Sequence, residues 1–433
     1  MPQIAIVALV ILGYTLLAAR LDRLSVSGPM ILVTIGAVLG PSGVGAFAAP
    51  VTSESVQLLA ELTLALLLFS DASSIGLKQA GSIAWVPARL LAIGLPLTIG
   101  AGALVGWLLF PALGLGFALL MGTILAPTDA ALSLPVLMDR AIPVRVRRAI
   151  NIESGLNDGI ATPFVTLFLA VVVAEQASAS QHWLIDAAAE IGLAIGVAIL
   201  TGGFGGRVIA RARQRGWASP ASESLAVVSL AILAYASATT IGGNGFVAAF
   251  ASGIFYRTAT AAAEPSVEFA DWIGVAGSYL VWLVFGIGFV GPVLAAGVDP
   301  AVLVYAVLSL TIVRMGPVAL SMVRSPLRAD TIALIGWFGP RGLASVVFLL
   351  VAFEQMGPAH PASLTLIHVV TWTVLVSIFL HGLSAGPIGA LYGRRVAKAR
   401  TGAWELGEAD EPRLRHRPMA PAQAAADVPG RAS

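Results

Sequence analysis

The sequence predicts an all-α, polytopic membrane protein of about thirteen transmembrane helices, two of them interrupted near mid-membrane. Three observations carry this expectation. Of the 433 residues, 58% are apolar and only 11% charged, with a mean hydropathy of +0.90. An ordinary globular domain carries roughly 25% charged residues, so too little polar surface is present for water to be the main solvent. Thirteen stretches are apolar enough, and most of them long enough, to cross the hydrocarbon of a bilayer. The basic residues, finally, segregate to one side of that arrangement.

The spans fall near 3–19, 28–46, 54–74, 90–110, 114–137, 149–173, 184–206, 222–241, 243–256, 272–296, 300–322, 330–353 and 363–389. The first follows Met-Pro-Gln, without the Lys or Arg that opens a secretory leader, and reads as a span. The second is interrupted by Gly and Pro, and the ninth is short. Of the 25 Lys and Arg residues, 23 lie in odd-numbered connections or the C-terminal segment, and even-numbered connections hold none. The positive-inside rule then places the N-terminus outside and the C-terminus in the cytoplasm of a cell (inner) membrane protein. Arg314 and Arg341 are left over, inside spans eleven and twelve.

Residues 1–395 form the expected transmembrane domain. Residues 396–433 begin basic, turn Pro/Ala-rich and hold too few large apolar residues to build a core, which predicts a mostly disordered cytoplasmic tail whose basic start suits anionic lipid. The sequence has no Cys, which excludes thiol chemistry and disulfides, and its five His stand at no metal-ligand spacing, so a zinc or haem centre is not expected. No cofactor, enzymatic activity or nucleic-acid partner is expected, because membrane orientation accounts for the basic residues.

Charges at bilayer depth are costly and usually functional. The acids inside spans are Glu61, Asp71, Asp129, Glu153 and Asp158, with Glu190 near the outer end of span seven. Span six opens Asn151-Ile152-Glu153-Ser154-Gly155-Leu156-Asn157-Asp158-Gly159. Helical spacing puts Glu153 one turn from Asn157 and Ser154 one turn from Asp158. Two carboxylates this close stay charged in a low dielectric only with compensating cations. A fixed arginine for one and an exchangeable ion or proton for the other make a site with a built-in competitor.

Span five carries Ala126-Pro127-Thr128-Asp129-Ala130, and span twelve carries Trp337-Phe338-Gly339-Pro340-Arg341-Gly342. Interrupted segments in corresponding halves point to an inverted-repeat transporter with its site at the midplane. Crossing half-helices would let Asp129 and Arg341 neutralise opposite backbone dipoles. In span eleven Arg314 needs an anion, for which Glu153 is the choice, and Met315-Gly316-Pro317 reads as a turn. Asp71 puts a second carboxylate at the cytoplasmic approach, while Glu61 lies nearer the outer side.

These stretches (Phe69-Ser70-Asp71, Pro127-Thr128-Asp129, Glu153 to Gly159, Arg314 and Gly339-Pro340-Arg341-Gly342) resemble the bacterial NhaP-type sodium/proton antiporters of the cation:proton antiporter-1 family, across spans three to twelve. The resemblance implies a homodimer in which a core, mainly 114–173 and 300–389, moves against a dimerisation scaffold in electroneutral exchange. It implies Asp158 as the carboxylate that carries ion and proton, with Ser154 and the Thr128 carbonyl as ligands. It makes Asn157 the holder of the crossing, and Glu153 and Arg314 a structural ion pair. Asp71 departs from the family, which often has Glu there, and its shorter side chain leaves room for a water.

The expected function is therefore exchange of a monovalent cation, Na⁺ first, with Li⁺ or K⁺ as alternatives, for H⁺, one for one. A K⁺-selective antiporter or channel-like K⁺ efflux protein on the same fold is the competing transport reading. An intramembrane aspartyl protease built on Asp129 and Asp158 would want a Gly-x-Gly-Asp context that neither residue has.

Overall fold

The computed structural model describes residues 2–23, 26–47, 54–74, 81–177, 183–260, 264–398, 403–409 and 411–412. They form helices and turns, and no strand occurs among them. In order these are α1 (Pro2–Arg23), α2 (Gly28–Leu39), α3 (Glu54–Ser74), α4 (Trp85–Leu109), α5a (Gly114–Ile124), α5b (Leu134–Met138) and α6 (Val144–Ala177). There follow α7 (183–214), α8 (Pro220–Thr240), α9 (Gly245–Thr260) and α10 (264–296). The chain ends in α11a (Pro300–Leu310), α11b (Ile312–Ser321), α12a (Ala329–Trp337), α12b (Leu343–Met356) and α13 (Ser363–Val396).

Each of the thirteen expected spans has its helical counterpart, and the chain is a multi-pass membrane protein. Among the described residues, nine helices are long and apolar enough to cross a bilayer unaided. The others are the short or broken ones, whose backbone ends are tolerated at membrane depth only where protein buries them. Helix α2 ends at Leu39, earlier than expected, because the chain turns at Gly40, whose N–H closes on the Gly36 carbonyl at 2.9 Å. On the arginine-rich side several helices run past their apolar stretch. Helix α6 starts at Val144 and so carries Arg145, Arg147 and Arg148 in its first turns.

One expectation is corrected. Met315-Gly316-Pro317 is helical, and the interruption of α11 falls at Thr311; Pro317 forgoes one backbone bond without ending a helix packed among its neighbours. Within the segment expected to be a mostly disordered tail, residues 403–409 and 411–412 pack on the helices, and Trp404–Leu406 forms a short turn with Glu405 buried. Its few large or charged side chains find partners on the helices instead of building a core of their own. Residues 399–402, 410 and 413–433 lie outside the described residues.

Packing sorts the helices into two groups. One comprises α2, α3 and α7–α10; the other comprises α4, α5, α6, α11, α12 and α13. Helix α4 packs on α5a and α11b and so extends the second group beyond 114–173 and 300–389. Helix α1 lies against α2, with Tyr14 edge-on to Tyr279 of α10 at 5.2 Å. Helices α3, α10 and α12b meet where the two groups face each other.

Three π-helical stretches interrupt α4, α7 and α10, at Leu90–Gly94, Ile199–Gly205 and Gly286–Val290. The last packs on α2 so closely that a methyl group on Gly286 would lie 2.3 Å from the Val33 carbonyl oxygen. Small residues let membrane helices approach backbone to backbone in this way.

Candidate functional site

Residues 125–133 and 338–342 leave the helical path, and the two interruptions cross. The Asp129 N–H donates to the Pro340 carbonyl at 2.9 Å. The Asp129 carboxylate accepts from the Leu343 N–H at 3.0 Å through Oδ2, and from Ala131 and Leu132 at 2.7 and 3.3 Å through Oδ1. It thus caps the positive start of α12b and the turn that leads to α5b. The Arg341 guanidinium donates to the carbonyls of Ala126, Pro127 and Ser309, meeting the negative end of α5a. One side chain of each sign closes the broken ends.

Helix α6 runs beside this crossing. Arg314 of α11b forms a two-point pair with Glu153, Nη1 to Oε1 and Nη2 to Oε2 both at 3.0 Å, and both side chains are 2% exposed. The Asn157 amide donates to the Thr128 hydroxyl at 2.5 Å, and Thr128 lies 3.1 Å from the Ser154 hydroxyl. Thr128, Glu153, Ser154 and Asn157 are all buried. Together they pin α6 to the interruption of α5.

A cavity of about 30 Å³ opens between the two helix groups, room for two or three water-sized occupants at roughly 10–15 Å³ each. Asp158, Ser154, Asp129, Ala130, Ala131 and Leu343 line it from one group, and Leu64, Leu67, Val275, Ser278 and Trp282 from the other. Its oxygen donors suit a hard cation. Asp158, Ser154 and Asp129 therefore come together at one wall, and Asn157, Glu153, Arg314 and Arg341 stand behind it.

Two residues expected as ligands are not among those that line the cavity. Asp71 does not line the cavity; it lies one helical turn beyond Leu67 on the same face of α3, on the side of the arginine-rich connections. Thr128, whose backbone carbonyl is the expected ligand, is buried next to the lining residue Asp129, and its hydroxyl bonds to Glu153, Ser154 and Asn157. Glu61 accepts from Gln57 at 2.8 Å and from the Tyr235 hydroxyl at 2.6 Å.

The sequence reading missed the support that α13 gives to α12. The Arg341 N–H donates to the Ser377 hydroxyl at 2.7 Å, the Trp337 indole donates to Ser384 at 3.0 Å, and buried His381 bonds to Ser377. Ser377, His381 and Ser384 recur at helical spacing in a mainly apolar span, and that spacing was the available signal.

The family model described as sodium/hydrogen exchanger, transmembrane, matches residues 6–391. A protein named K(+)/H(+) antiporter NhaP, from Alkalimonas amylolytica, is 28% identical over 403 residues, covering 89% of this chain and 65% of that protein. A protein named K(+)/H(+) antiporter NhaP2, from Shewanella sp. (strain ANA-3), is 24% identical over 384 residues, covering 85% of this chain and 63% of its own length. The chain thus spans a little under two thirds of the length of these relatives. Among solved structures, the sodium proton antiporter MjNhaP1 from Methanocaldococcus jannaschii superposes with a TM-score of 0.73 at 20% identity, over 90% of this chain and 98% of that one. That likeness concerns the fold.

Proposed function

The chain belongs to the sodium/hydrogen exchanger family, and from that premise we propose that it exchanges a monovalent cation for H⁺ by alternating access. The observation that carries the reading is that Asp158 and Ser154 share one wall of the cavity with the interruption of α5. Deprotonated Asp158 takes a partly dehydrated cation together with the Ser154 hydroxyl and oxygens at the break. A proton and the cation compete for the same negative charge, so binding one expels the other. Neutralised by either, the site crosses between its two exposures; empty and charged, it does not. That rule turns a binding site into an exchanger. Glu153 is matched by Arg314 and Asp129 by backbone N–H groups, so one carboxylate changes charge per cycle and the exchange is electroneutral.

The cavity lies between the two helix groups, which supports motion of the group holding α5, α6 and α12 against the other as the alternating step. In this reading the chain works as a homodimer in a cell membrane, with the arginine-rich side in the cytoplasm. Asp71 then stands on the cytoplasmic approach to the cavity. Na⁺ is the first choice of cation. The K(+)/H(+) names of the two relatives favour K⁺ as the second reading.

The test is a reconstituted protein in vesicles loaded with a pH dye, to which Na⁺, Li⁺ and K⁺ are added in turn. Cation-dependent proton movement that disappears in Asp158→Asn is the expected result. Persistence of that movement in the variant overturns the mechanism, and current far above carrier turnover would mark a channel.

A further inference from the structure

The ordered part of the C-terminal segment sits in a socket on the arginine-rich face. Glu405 is fully buried, and its Oε1 accepts from the Arg328 N–H at 2.9 Å and the Thr331 hydroxyl at 2.8 Å. Arg328 is the N-cap of α12a and supplies no side-chain cap of its own, so the segment brings a carboxylate to the start of that half-helix. Arg147 of α6 holds Glu411 through two hydrogen bonds at 2.7 and 3.1 Å. Arg145 donates to the carbonyls of Trp404 and Glu408 at 3.0 and 3.2 Å and lies over the Trp404 ring at 5.6 Å. Trp404 in turn meets Trp85 of α4 edge-on at 5.8 Å.

We propose that Arg145, Arg147 and the N-terminus of α12a form a docking site for an acidic, tryptophan-bearing peptide, filled in cis by residues 403–409 and 411–412, and that its filling stiffens the ion site from the arginine-rich side. The first part stands on geometry alone; the second rests on the exchange reading above. The socket matches its occupant in charge, with Glu405 and Glu411 against a helix N-terminus and an arginine, and in shape, with Trp404 between Arg145 and Trp85. The described contacts of the clasp named here fall on α4, α6, the start of α12a and the chain just before it, all in one helix group. A strap within one group cannot lock that group against the other, so it is no brake on exchange. It joins the ends of the two elements that carry the site, α6 with Glu153 to Asp158 and α12a leading to Arg341.

The experiment uses the full chain with changes on the segment side only, which leave every residue of α1 to α13 in place. In Glu405→Ala/Glu411→Ala, hydrogen exchange at 403–412 and at the Arg328 amide should speed up, and the cation concentration for half-maximal exchange should rise several-fold with maximal rate little changed. Glu405→Gln keeps an oxygen acceptor for Arg328 and Thr331 but loses the charge at the start of α12a, so its hydrogen exchange should fall between the parent chain and the double variant. A synthetic peptide of residues 403–412, added to the double variant, should restore protection of the Arg328 amide. Unaltered hydrogen exchange in the double variant overturns the docking site. A faster maximal rate would make the segment a brake and overturn the stiffening role. If the parent chain shows no cation/proton exchange, the transport reading has failed, while hydrogen exchange and peptide binding still decide the socket.

Discussion

Arg314 and Glu153 meet at two points, 3.0 Å each, with both side chains removed from solvent. The pair joins α11b to α6 at the level of the crossing. It leaves no spare charge on Glu153 for an ion, although Glu153 is only five positions from Asp158. Position in the sequence puts both carboxylates on one helix, and partner choice separates their duties.

Breaking this pair from one side should cost stability. Glu153→Gln strands the Arg314 guanidinium in the bundle, at about 3–5 kcal/mol. The change of both residues to apolar ones of similar volume should cost clearly less. Thermal unfolding in detergent measures both, and equal melting of Glu153→Gln and the parent chain would refute the assignment.

Asp158→Asn should separate function from stability. The residue is half-buried at a cavity wall, so the isosteric amide should shift unfolding by less than about 1 kcal/mol, within the range of mild substitutions. Cation-dependent proton movement should vanish. Ser154→Ala keeps the carboxylate and removes a hydroxyl, so exchange should persist with weaker apparent cation affinity.

At the crossing, Asp129→Ala leaves the N–H groups of Leu343, Ala131 and Leu132 without their acceptor. Each stranded donor costs about 1–3 kcal/mol where water cannot replace the carboxylate. Asp129→Asn retains one acceptor oxygen and should fall between. Gly342→Ala is expected to be comparably harmful, since its added methyl would lie 2.1 Å from the Asp129 carboxylate.

Helix approach provides a test away from the site. A methyl on Gly36 would meet the Leu283 carbonyl oxygen at 2.3 Å, whereas one on Gly192 or Gly196 of α7 meets nothing within 4 Å. Gly36→Ala should therefore force α2 from α10 and lower the melting temperature. Gly192→Ala and Gly196→Ala should be neutral or slightly stabilising, because alanine favours helix by about 1 kcal/mol over glycine.

Thirteen spans, their alternation of basic and bare connections, and both interruptions were legible in the chain, because each depends on a local quantity. Hydrophobic length sets a span, Pro127 and Pro340 deny backbone donors, and an ionisable group in an apolar run demands a partner. Glu153, Ser154, Asn157 and Asp158 shared a helix face by spacing alone. What spacing does not contain is distance between helices. Only the folded arrangement decided that Asp71 stands a turn away from the cavity and that the Thr128 hydroxyl bonds to Glu153, Ser154 and Asn157. The folded arrangement also decided that Ser377 and His381 brace Arg341 and that residues 403–409 and 411–412 pack on the helices. In each of these cases the determining partner is remote in sequence. Glu405 lies 77 positions from Arg328 and Glu411 lies 264 from Arg147, and a polar side chain's role is set by which opposite group the packing brings within 3 Å.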